Sequence, residues 1–225
     1  MCTFNKTDVL NAIMIISSED RWPPLNGLVL IGGRSQRMGS PKEKMHWHGK
    51  EQCYYLADLL QNYCEEVYIS CRAEQQAEIV GNKEVASEYK FLSDQVTDIG
   101  PLGGILTAFE FQPARAWLVV ACDLPMLGPE AISYLIQRRD PIKIATAFSS
   151  PQDNLPEPLF AIWEPSSFPI LQQMLAQNKL SPRQALIQQH ALGVDPPDAG
   201  VLFNVNTPAE AKMIAAMRTK KDQGR

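Results

Sequence analysis

The sequence predicts a three-layer, Rossmann-like α/β fold, in which a mostly parallel sheet carries helices on both faces. Short, wholly apolar segments such as 28–31 and 117–122 are typical of strands buried on both faces. These segments alternate with stretches whose apolar residues recur at helical spacing, which is the pattern of parallel strands joined by crossover helices. The 225 residues suffice for one sizeable domain of this kind.

The predicted elements follow one another along the chain. The predicted strands are 28–31, 67–71, 89–92, 117–122, 142–147, 159–163, 193–195 and 202–205. The predicted helices are 51–63, 73–80, 102–111, 129–137, 165–177, 181–190 and 208–217. Ser181 and Thr207 are predicted N-caps, because their hydroxyls can accept from the first helical N–H groups. Residues 46–48 predict a small hairpin or turn that leaves His46 and His48 in solvent.

The domain is predicted to span 25–217, between an N-terminal extension at 1–24 and a charged tail at 218–225. The extension contains an apolar patch at 13–16, but it lacks the basic start, long apolar core and small-residue cleavage site of a secretory signal. No apolar run approaches the ~18 residues that span a membrane. We therefore expect no membrane partner and a cytoplasmic location.

Composition narrows the classes of partner. The formal net charge is −4, which argues against a general nucleic-acid-binding surface, since such a surface would be basic. The five cysteines include no Cys-x-x-Cys pair, and no cluster of histidines and cysteines has metal-ligand spacing. We interpret the cysteines as reduced thiols that fill the core.

The functional interpretation starts from the loop that follows the first strand. Gly32 and Gly33 break the apolar pattern there, and glycine lets backbone N–H groups approach a ligand because it has no Cβ. Arg34, Arg37 and Lys42 add cations, and bare N–H groups with fixed cations are what a polyphosphate needs. The spacing fits neither the dinucleotide fingerprint nor the Walker A motif. The loop therefore predicts a nucleoside triphosphate over the end of the first strand.

Two later segments place acidic residues at the same edge of the predicted sheet. Asp123 directly follows a predicted strand, at the carboxyl edge where ligands bind in open α/β folds. The loop 94–104 offers Asp94 and Asp98, and its closing glycines at 103–104 would let the backbone approach a ligand. Aspartates at such places also serve as turn or capping residues, so the residues alone leave both roles open.

The loop resembles the signature of nucleotidyltransferases of the molybdenum-cofactor guanylyltransferase type, usually written Leu-Ala-Gly-Gly-x3-Arg-Met-Gly-x2-Lys. The matching residues are Leu30, Gly32, Gly33, Arg37, Met38, Gly39 and Lys42, with Ile31 in place of the usual Ala. Four later segments match the family in the same order, at 94–104, 122–125, 157–159 and 204–208. The resemblance covers the chain from Gly27 to about Met217.

The resemblance implies a nucleotide-diphospho-sugar transferase-like fold and an enzyme that transfers GMP from GTP to molybdopterin carrying its metal, with release of pyrophosphate. The nucleotide-binding residues that it implies are Leu30, Ile31, Gly32, Gly33, Lys42, Asp94 and Asp123. The implied catalytic residues are Arg37, Lys42 and Asp123, and Asp123 is also the implied ligand of Mg2+. Glu157, Asn204 and Asn206 are implied to face the acceptor.

Three alternatives stay open at this stage. Pro41 is more usual in relatives that transfer cytidylyl groups, and Ile69 replaces a polar residue near the base, so CTP is an alternative donor. Another phosphorylated acceptor, such as a sugar or polyol phosphate, is a second alternative. The third is a nucleotide-binding protein without turnover. A protein that delivers or receives the cofactor is an expected further partner.

Overall fold

The computed structural model describes residues 22–31, 42–80, 87–96 and 98–223. The strands are β1 (Leu25–Leu30), β2 (Val67–Cys71), β3 (Lys90–Ser93), β4 (Ala116–Ala121), β5 (Ala145–Ser149), β6 (Pro156–Trp163) and β7 (Leu192–Val194). The helices are α1 (Gln52–Leu60), α2 (Ala73–Val80), α3 (Pro101–Phe111), α4 (Pro129–Gln137), α5 (Phe168–Ala176), α6 (Pro182–Gln188) and α7 (Pro208–Gln223). Short 3-10 turns occupy Lys42–Lys44, Pro165–Ser167 and Ala199–Leu202.

All seven strands form one sheet in the order β3-β2-β1-β4-β6-β5-β7. β1 pairs in parallel with both β2 and β4, while β6 runs antiparallel to its neighbours β4 and β5. Leu30 lies opposite Ser70 on one side and Ala121 on the other, so three parallel strands end level with one another. The predicted mostly parallel α/β sheet is confirmed.

Helices cover both faces of the sheet, as the apolar strands require. In β4, Leu118 and Val120 belong to one buried cluster, and this cluster includes residues of α1 and α4. Trp117 and Val119 belong to the other cluster, which includes residues of α3, α5 and α6. Successive side chains of a strand point to opposite faces, so a strand between two helical layers must be apolar throughout.

Most predicted elements agree with the structure, with bounds shifted by a few residues. The predicted helix 165–177 is divided, since Pro165–Ser167 form a 3-10 turn before α5 begins at Phe168. The helix predicted at 208–217 extends to Gln223, so most of the segment predicted as a charged tail is helical. Both predicted N-caps are confirmed, because the Ser181 hydroxyl accepts from the Gln184 amide and the Thr207 hydroxyl accepts from the Glu210 amide.

The strand predicted at 202–205 is wrong. Leu202 ends a 3-10 turn that begins after Asp198, whose carboxylate accepts a hydrogen bond from the Gly200 amide. The next residues pair with no strand, and Val205 instead packs into a small separate core with Ala211 and Ile214 of α7. Of the apolar residues that predicted a strand, Phe203 and Val205 serve this satellite core, whereas Leu202 packs against the main cluster that includes α1 and α4.

The buried thiols fit their predicted role as core filler. Burial raises the pKa of Cys53, Cys64 and Cys71 to about 12, and these three cysteines are not in disulfides. Across the described ranges, no helix combines the length and the apolar character needed to cross a bilayer.

One ion pair is fully buried at the edge of the α4 layer. Arg139 follows α4, and its Nε and Nη2 donate to the Glu164 carboxylate at 2.6 and 2.9 Å. The side chains are only 6% and 1% exposed, and Nη2 also donates to the Pro23 carbonyl at 2.8 Å. Removing one partner of such a pair leaves an uncompensated buried charge.

We expect Glu164→Ala to lower the free energy of unfolding by about 3–5 kcal/mol, because the Arg139 guanidinium would remain buried without its counter-ion. Glu65→Ala, which removes the partially exposed pair with Arg115, should cost less than about 1 kcal/mol. Urea denaturation of both variants measures the difference. Equal effects of the two substitutions would contradict the assignment of a desolvated pair at Arg139.

Candidate active site

The sheet order creates a crevice beside β1. The chain leaves β1 to pair first with β2 on one side and later returns to β4 on the other, so the connections diverge between β1 and β4. Ligands of open α/β sheets bind at this switch point, outside the carboxyl ends of the strands. The segment after β1 and the Asp123 loop after β4 both start at this crevice.

The described residues include only the two ends of the predicted phosphate loop. Gly32, Gly33 and Arg37 lie outside the described residues. Lys42 begins the 3-10 turn Lys42–Lys44, although its side chain is not among those described.

The end of β1 keeps its side chains in the core and its backbone hydrogen-bonded to the neighbouring segments. The side chains of Leu30 and Ile31 are only 6% and 3% exposed. The Ile31 amide donates to the Ser70 carbonyl at 3.2 Å, and the Leu30 carbonyl accepts from the Cys122 amide at 3.2 Å. These two residues therefore fix the point at which the signature loop leaves the sheet.

Three of the predicted site residues line one cleft. Asp123, Glu157 and Asn204 border a cavity of about 40 Å3 at the carboxyl end of β4. Its other lining residues are Ala121, Leu124, Leu159, Phe160 and Leu202. The cleft thus joins the predicted metal ligand to two of the predicted acceptor-binding residues.

The three residues meet for two topological reasons. Glu157 lies near the start of β6, and because β6 runs antiparallel to β4 its first residues lie beside the end of β4. Asn204 belongs to the segment after Leu202, which is fixed to the site by a hydrogen bond from the Val205 amide to the Asp123 carbonyl at 3.0 Å. Asn206 does not line the cleft, and its backbone amide donates to the Glu210 carboxylate at 2.8 Å.

Arg183 of α6 is a site neighbour that the sequence analysis missed. Its Nη2 donates to the Glu157 carboxylate at 2.5 Å, and its Nη1 lies 3.4 Å from Asp153. The pair fixes Glu157 at the cleft and balances its charge. An arginine near the start of a helix carries no local signal for this role, since only tertiary packing brings α6 to β6.

Asp94 lies at a second position on the same edge, after β3. Its Oδ1 accepts a hydrogen bond from the Ser70 hydroxyl at 2.6 Å, and its amide donates to the Cys71 carbonyl at 2.9 Å. Burial raises the pKa of Asp94, and the Ser70 hydrogen bond and the charge of Arg72 oppose this shift. From β3 to β4 is three strand spacings, so Asp94 and Asp123 are separated by roughly 14 Å across the crevice.

The other polar candidates near Asp94 have different roles. Asp98 is exposed and adopts a φ of 62°, which is typical of a turn aspartate. Ile69 is buried in the core cluster with α1, so Ser70 is the residue of β2 that faces the Asp94 side. A Cβ on Gly104 would lie 2.5 Å from the Ser70 hydroxyl oxygen and 2.7 Å from Leu30, so this glycine serves helix-to-sheet packing.

The donor atoms at the cleft fit a hard divalent cation. Asp123 offers carboxylate oxygens and Asn204 offers an amide group, while the Glu157 carboxylate already accepts a hydrogen bond from Arg183. Among the residues that the structure describes, no three His, Cys, Asp or Glu side chains cluster as a complete metal cage. Mg2+ suits such a sparse set of oxygen donors, because it retains waters and is completed by substrate phosphates.

Comparison with known proteins identifies the family. The profile of the MobA-like NTP transferase domain matches residues 27–194, which include the whole sheet except the first residues of β1. This chain belongs to the MobA-like NTP transferase family. Its β1–β4 crevice, Asp123 and Glu157 therefore lie within a nucleotidyltransferase domain, and Leu202 and Asn204 of the cleft follow the matched residues.

Individual MobA-like relatives agree with this assignment. The chain is 30% identical over 192 residues to the molybdenum cofactor biosynthesis bifunctional protein of Synechocystis sp. (strain PCC 6803), covering 85% of this chain but only 54% of that protein. It spans about half the length of that relative. It is also 30% identical over 205 residues to the "Probable molybdenum cofactor guanylyltransferase" of Thermococcus kodakarensis, covering 86% of this chain and 96% of that protein.

A solved structure shares the fold. Molybdopterin-guanine dinucleotide biosynthesis protein A from Archaeoglobus fulgidus superposes with a TM-score of 0.69 at 23% identity. The match covers 87% of this chain and 99% of that chain, so the two proteins share nearly the complete domain.

The raised pKa of Asp94 makes a prediction about stability and pH. Because its pKa in the folded protein exceeds the ordinary 3.8, the stability that it contributes is present at low pH and is lost as the pH rises through the raised value. We therefore expect Asp94→Asn to gain stability relative to the wild type as the pH rises from about 4 to 7. Urea denaturation across this range, with the exposed Glu110→Gln of α3 as the control, measures the gain. A difference that does not change with pH would contradict the burial of the carboxylate.

Proposed function

We propose that this MobA-like protein transfers GMP from GTP to the molybdopterin cofactor, releasing pyrophosphate and forming the guanine dinucleotide cofactor. The observation that carries the proposal is the cleft at the carboxyl end of β4, where Asp123, Glu157 and Asn204 meet. The names of the Synechocystis, Thermococcus and Archaeoglobus proteins support the substrates.

In this proposal the nucleotide lies along the carboxyl edge from Asp94 to Asp123. The base or ribose lies at Asp94, and the phosphates lie at the β1–β4 crevice. Gly32, Gly33 and Arg37 cradle the triphosphate through backbone N–H groups and charge. Lys42 neutralises the charge that develops on the leaving pyrophosphate.

Nucleotidyl transfer requires positioning and charge neutralisation more than covalent work by the protein. A phosphate oxygen of the acceptor attacks the α-phosphorus of GTP, and the bond to the bridging oxygen breaks to release pyrophosphate. A phosphate monoester is already ionised near pH 7, so the protein needs no general base for this step.

Asp123 would hold Mg2+ together with phosphate oxygens and water, since one carboxylate suffices for a cation that keeps part of its hydration shell. When bound, the ion supplies electrostatic stabilisation of the phosphate oxygens. The chain's own part is to fix the carboxylate at the end of β4, where the Val205 amide bonds to the same residue's carbonyl.

The acceptor is assigned to the other side of the cleft. Glu157 and Asn204 line the cavity there, and Asn206 follows two residues later at the N-terminus of α7. The ion pair of Glu157 with Arg183 leaves a polar, charge-balanced wall. A delivery or receiving protein for the dinucleotide cofactor, and a cytoplasmic location, complete the proposal.

We expect Lys42→Ala and Asp123→Asn each to lower kcat by about 100-fold or more, because each removes a preorganised charge from the reacting phosphates. Pyrophosphate release with GTP, Mg2+ and molybdopterin measures the rate. Glu110→Gln, an exposed substitution on α3, should keep the wild-type rate. A Lys42→Ala enzyme with near-wild-type turnover would refute the assigned role of this lysine.

The donor nucleotide can be decided by isothermal titration of GTP, CTP, ATP and UTP in the presence of Mg2+. We expect selective binding of GTP, weakened at least about tenfold by Asp123→Asn through the loss of a charged contact. Selective binding of CTP would instead assign cytidylyl transfer with the same phosphate machinery. Binding of GTP without pyrophosphate release in the presence of acceptor would leave a nucleotide-binding protein without turnover.

A further inference from the structure

The Asp123 loop is held by its backbone carbonyls. The Asp123 carbonyl accepts from the Val205 amide at 3.0 Å. The next carbonyl, that of Leu124, accepts from Gln52 Nε2 at 3.2 Å, and the Pro125 carbonyl lies 3.2 Å from His48 Nε2. Three successive carbonyls thus bond to two other parts of the chain, the Val205 backbone and the side chains of His48 and Gln52.

The buried side chain of Gln52 lowers the stability of the folded protein. It is the first residue of α1 and is 0% exposed, yet its Oε1 has no hydrogen-bond partner among the described residues. A buried amide with an unpaired oxygen destabilises the folded state, and an apolar side chain of the same length would avoid that cost. Asn26 Oδ1 and Trp117 Nε1 are the other such atoms found in the described part of the chain, and neither residue is hydrogen-bonded to the Asp123 loop. At Gln52 the hydrogen bond from Nε2 to the Leu124 carbonyl offsets part of this cost.

His48 contributes from the turn that precedes α1. Its ring stacks on Tyr55 with a centroid separation of 3.4 Å and an interplanar angle of 8°, so the imidazole is held in one orientation. The prediction that both histidines of this turn lie in solvent is wrong for His48, which is half-buried, and is confirmed for His46. A proton on Nε2 lets His48 donate to the Pro125 carbonyl.

Both side chains belong to the segment that follows the predicted phosphate loop. Lys42 begins this segment and Gln52 ends it. The backbone amide of Gln52 donates to the Met45 carbonyl at 2.8 Å. Met45 and Trp47 also pack against the satellite core that contains Val205. The segment 42–52 therefore contacts both the Asp123 loop and the irregular segment that contains Asn204 and Val205.

We infer that Gln52 is a positioning residue for Asp123. Its hydrogen bond to the Leu124 carbonyl fixes the position of the segment 42–52 relative to the Asp123 loop, and the contact of His48 with the Pro125 carbonyl reinforces this position. The inference rests on the proposed function, because it concerns the placement of the two charges assigned to the phosphates. Displacement of a reacting group by about 1 Å can lower the rate by about 100-fold, so the hydrogen bonds that hold the Asp123 loop in place matter for catalysis.

The test uses Gln52→Met, which keeps the length of the side chain and removes its hydrogen bond. The Leu124 carbonyl still accepts from the Leu127 amide at 3.3 Å, so the turn keeps one partner and the variant should fold. We expect kcat for GMP transfer to fall about tenfold while KM for GTP changes less than about threefold, since the defect lies in alignment. In nucleotide-free and metal-free protein, the amides of Val205 and Leu127 should exchange with deuterium about tenfold faster, because local opening of the loop becomes easier.

Thr146→Val is the matched control. Thr146 lies on β5, does not line the cleft and is also 0% exposed. Its hydroxyl accepts a hydrogen bond from the Asp140 backbone amide at 3.0 Å. This variant should keep kcat and the exchange rates of Val205 and Leu127. If Gln52→Met does not fold, His48→Phe retains the aromatic stack on Tyr55, removes the bond to Pro125 and is expected to change the same readouts in the same direction.

The outcomes separate the inference from the proposed function. Unchanged exchange at Val205 and Leu127 in Gln52→Met, or in His48→Phe where that variant replaces it, would overturn the inference, as would an equal fall in kcat for Thr146→Val. A wild-type protein that transfers no nucleotide would instead refute the proposed function, and the exchange measurement would still decide whether Gln52 holds the loop.

Discussion

The parallel pairing of β1 with β2 and β4 is the constraint on which the site depends. β1 is buried along all six residues, and its last residue lies level with Ser70 and Ala121. The amide of Ile31 and the carbonyl of Leu30 continue this pairing one step beyond the strand. The segments that follow β1, β2 and β4 therefore start side by side, which places Ile31, Ser70 and Asp123 along one crevice.

The second side of the site depends on one reversal of direction. β6 is antiparallel in an otherwise parallel sheet, so its first residues, and not its last, lie at the ligand edge. This brings Glu157 to the cleft, where Arg183 fixes it. The segment after the 3-10 turn Ala199–Leu202 then closes the cleft with Asn204, anchored through the Val205 amide.

The two edges of the sheet treat carboxylates in opposite ways. At the amino edge, hydrogen bonds from Lys90, Tyr68 and Gln112 lower the pKa of Glu66 to about 2, so its charge is satisfied within the protein. At the carboxyl edge, burial raises the pKa of Asp94. The carboxyl edge thus contains a carboxyl group whose ionised form is disfavoured by burial, in contrast to the satisfied charge of Glu66.

The sequence by itself determined the α/β class and most helices and strands, because apolar runs and helical spacing are local properties. It also singled out Asp123, Glu157 and Asn204 by motif order, and the structure brings these three residues to one cleft. It could not determine the antiparallel direction of β6, the contact of Arg183 with Glu157 or the contacts of Gln52 and His48 with the Asp123 loop, since these depend on which elements meet in space. The strand predicted at 202–205 failed for the same reason: a short apolar run can complete a sheet or a satellite core, and only tertiary packing decided that Val205 joins α7 and holds Asp123.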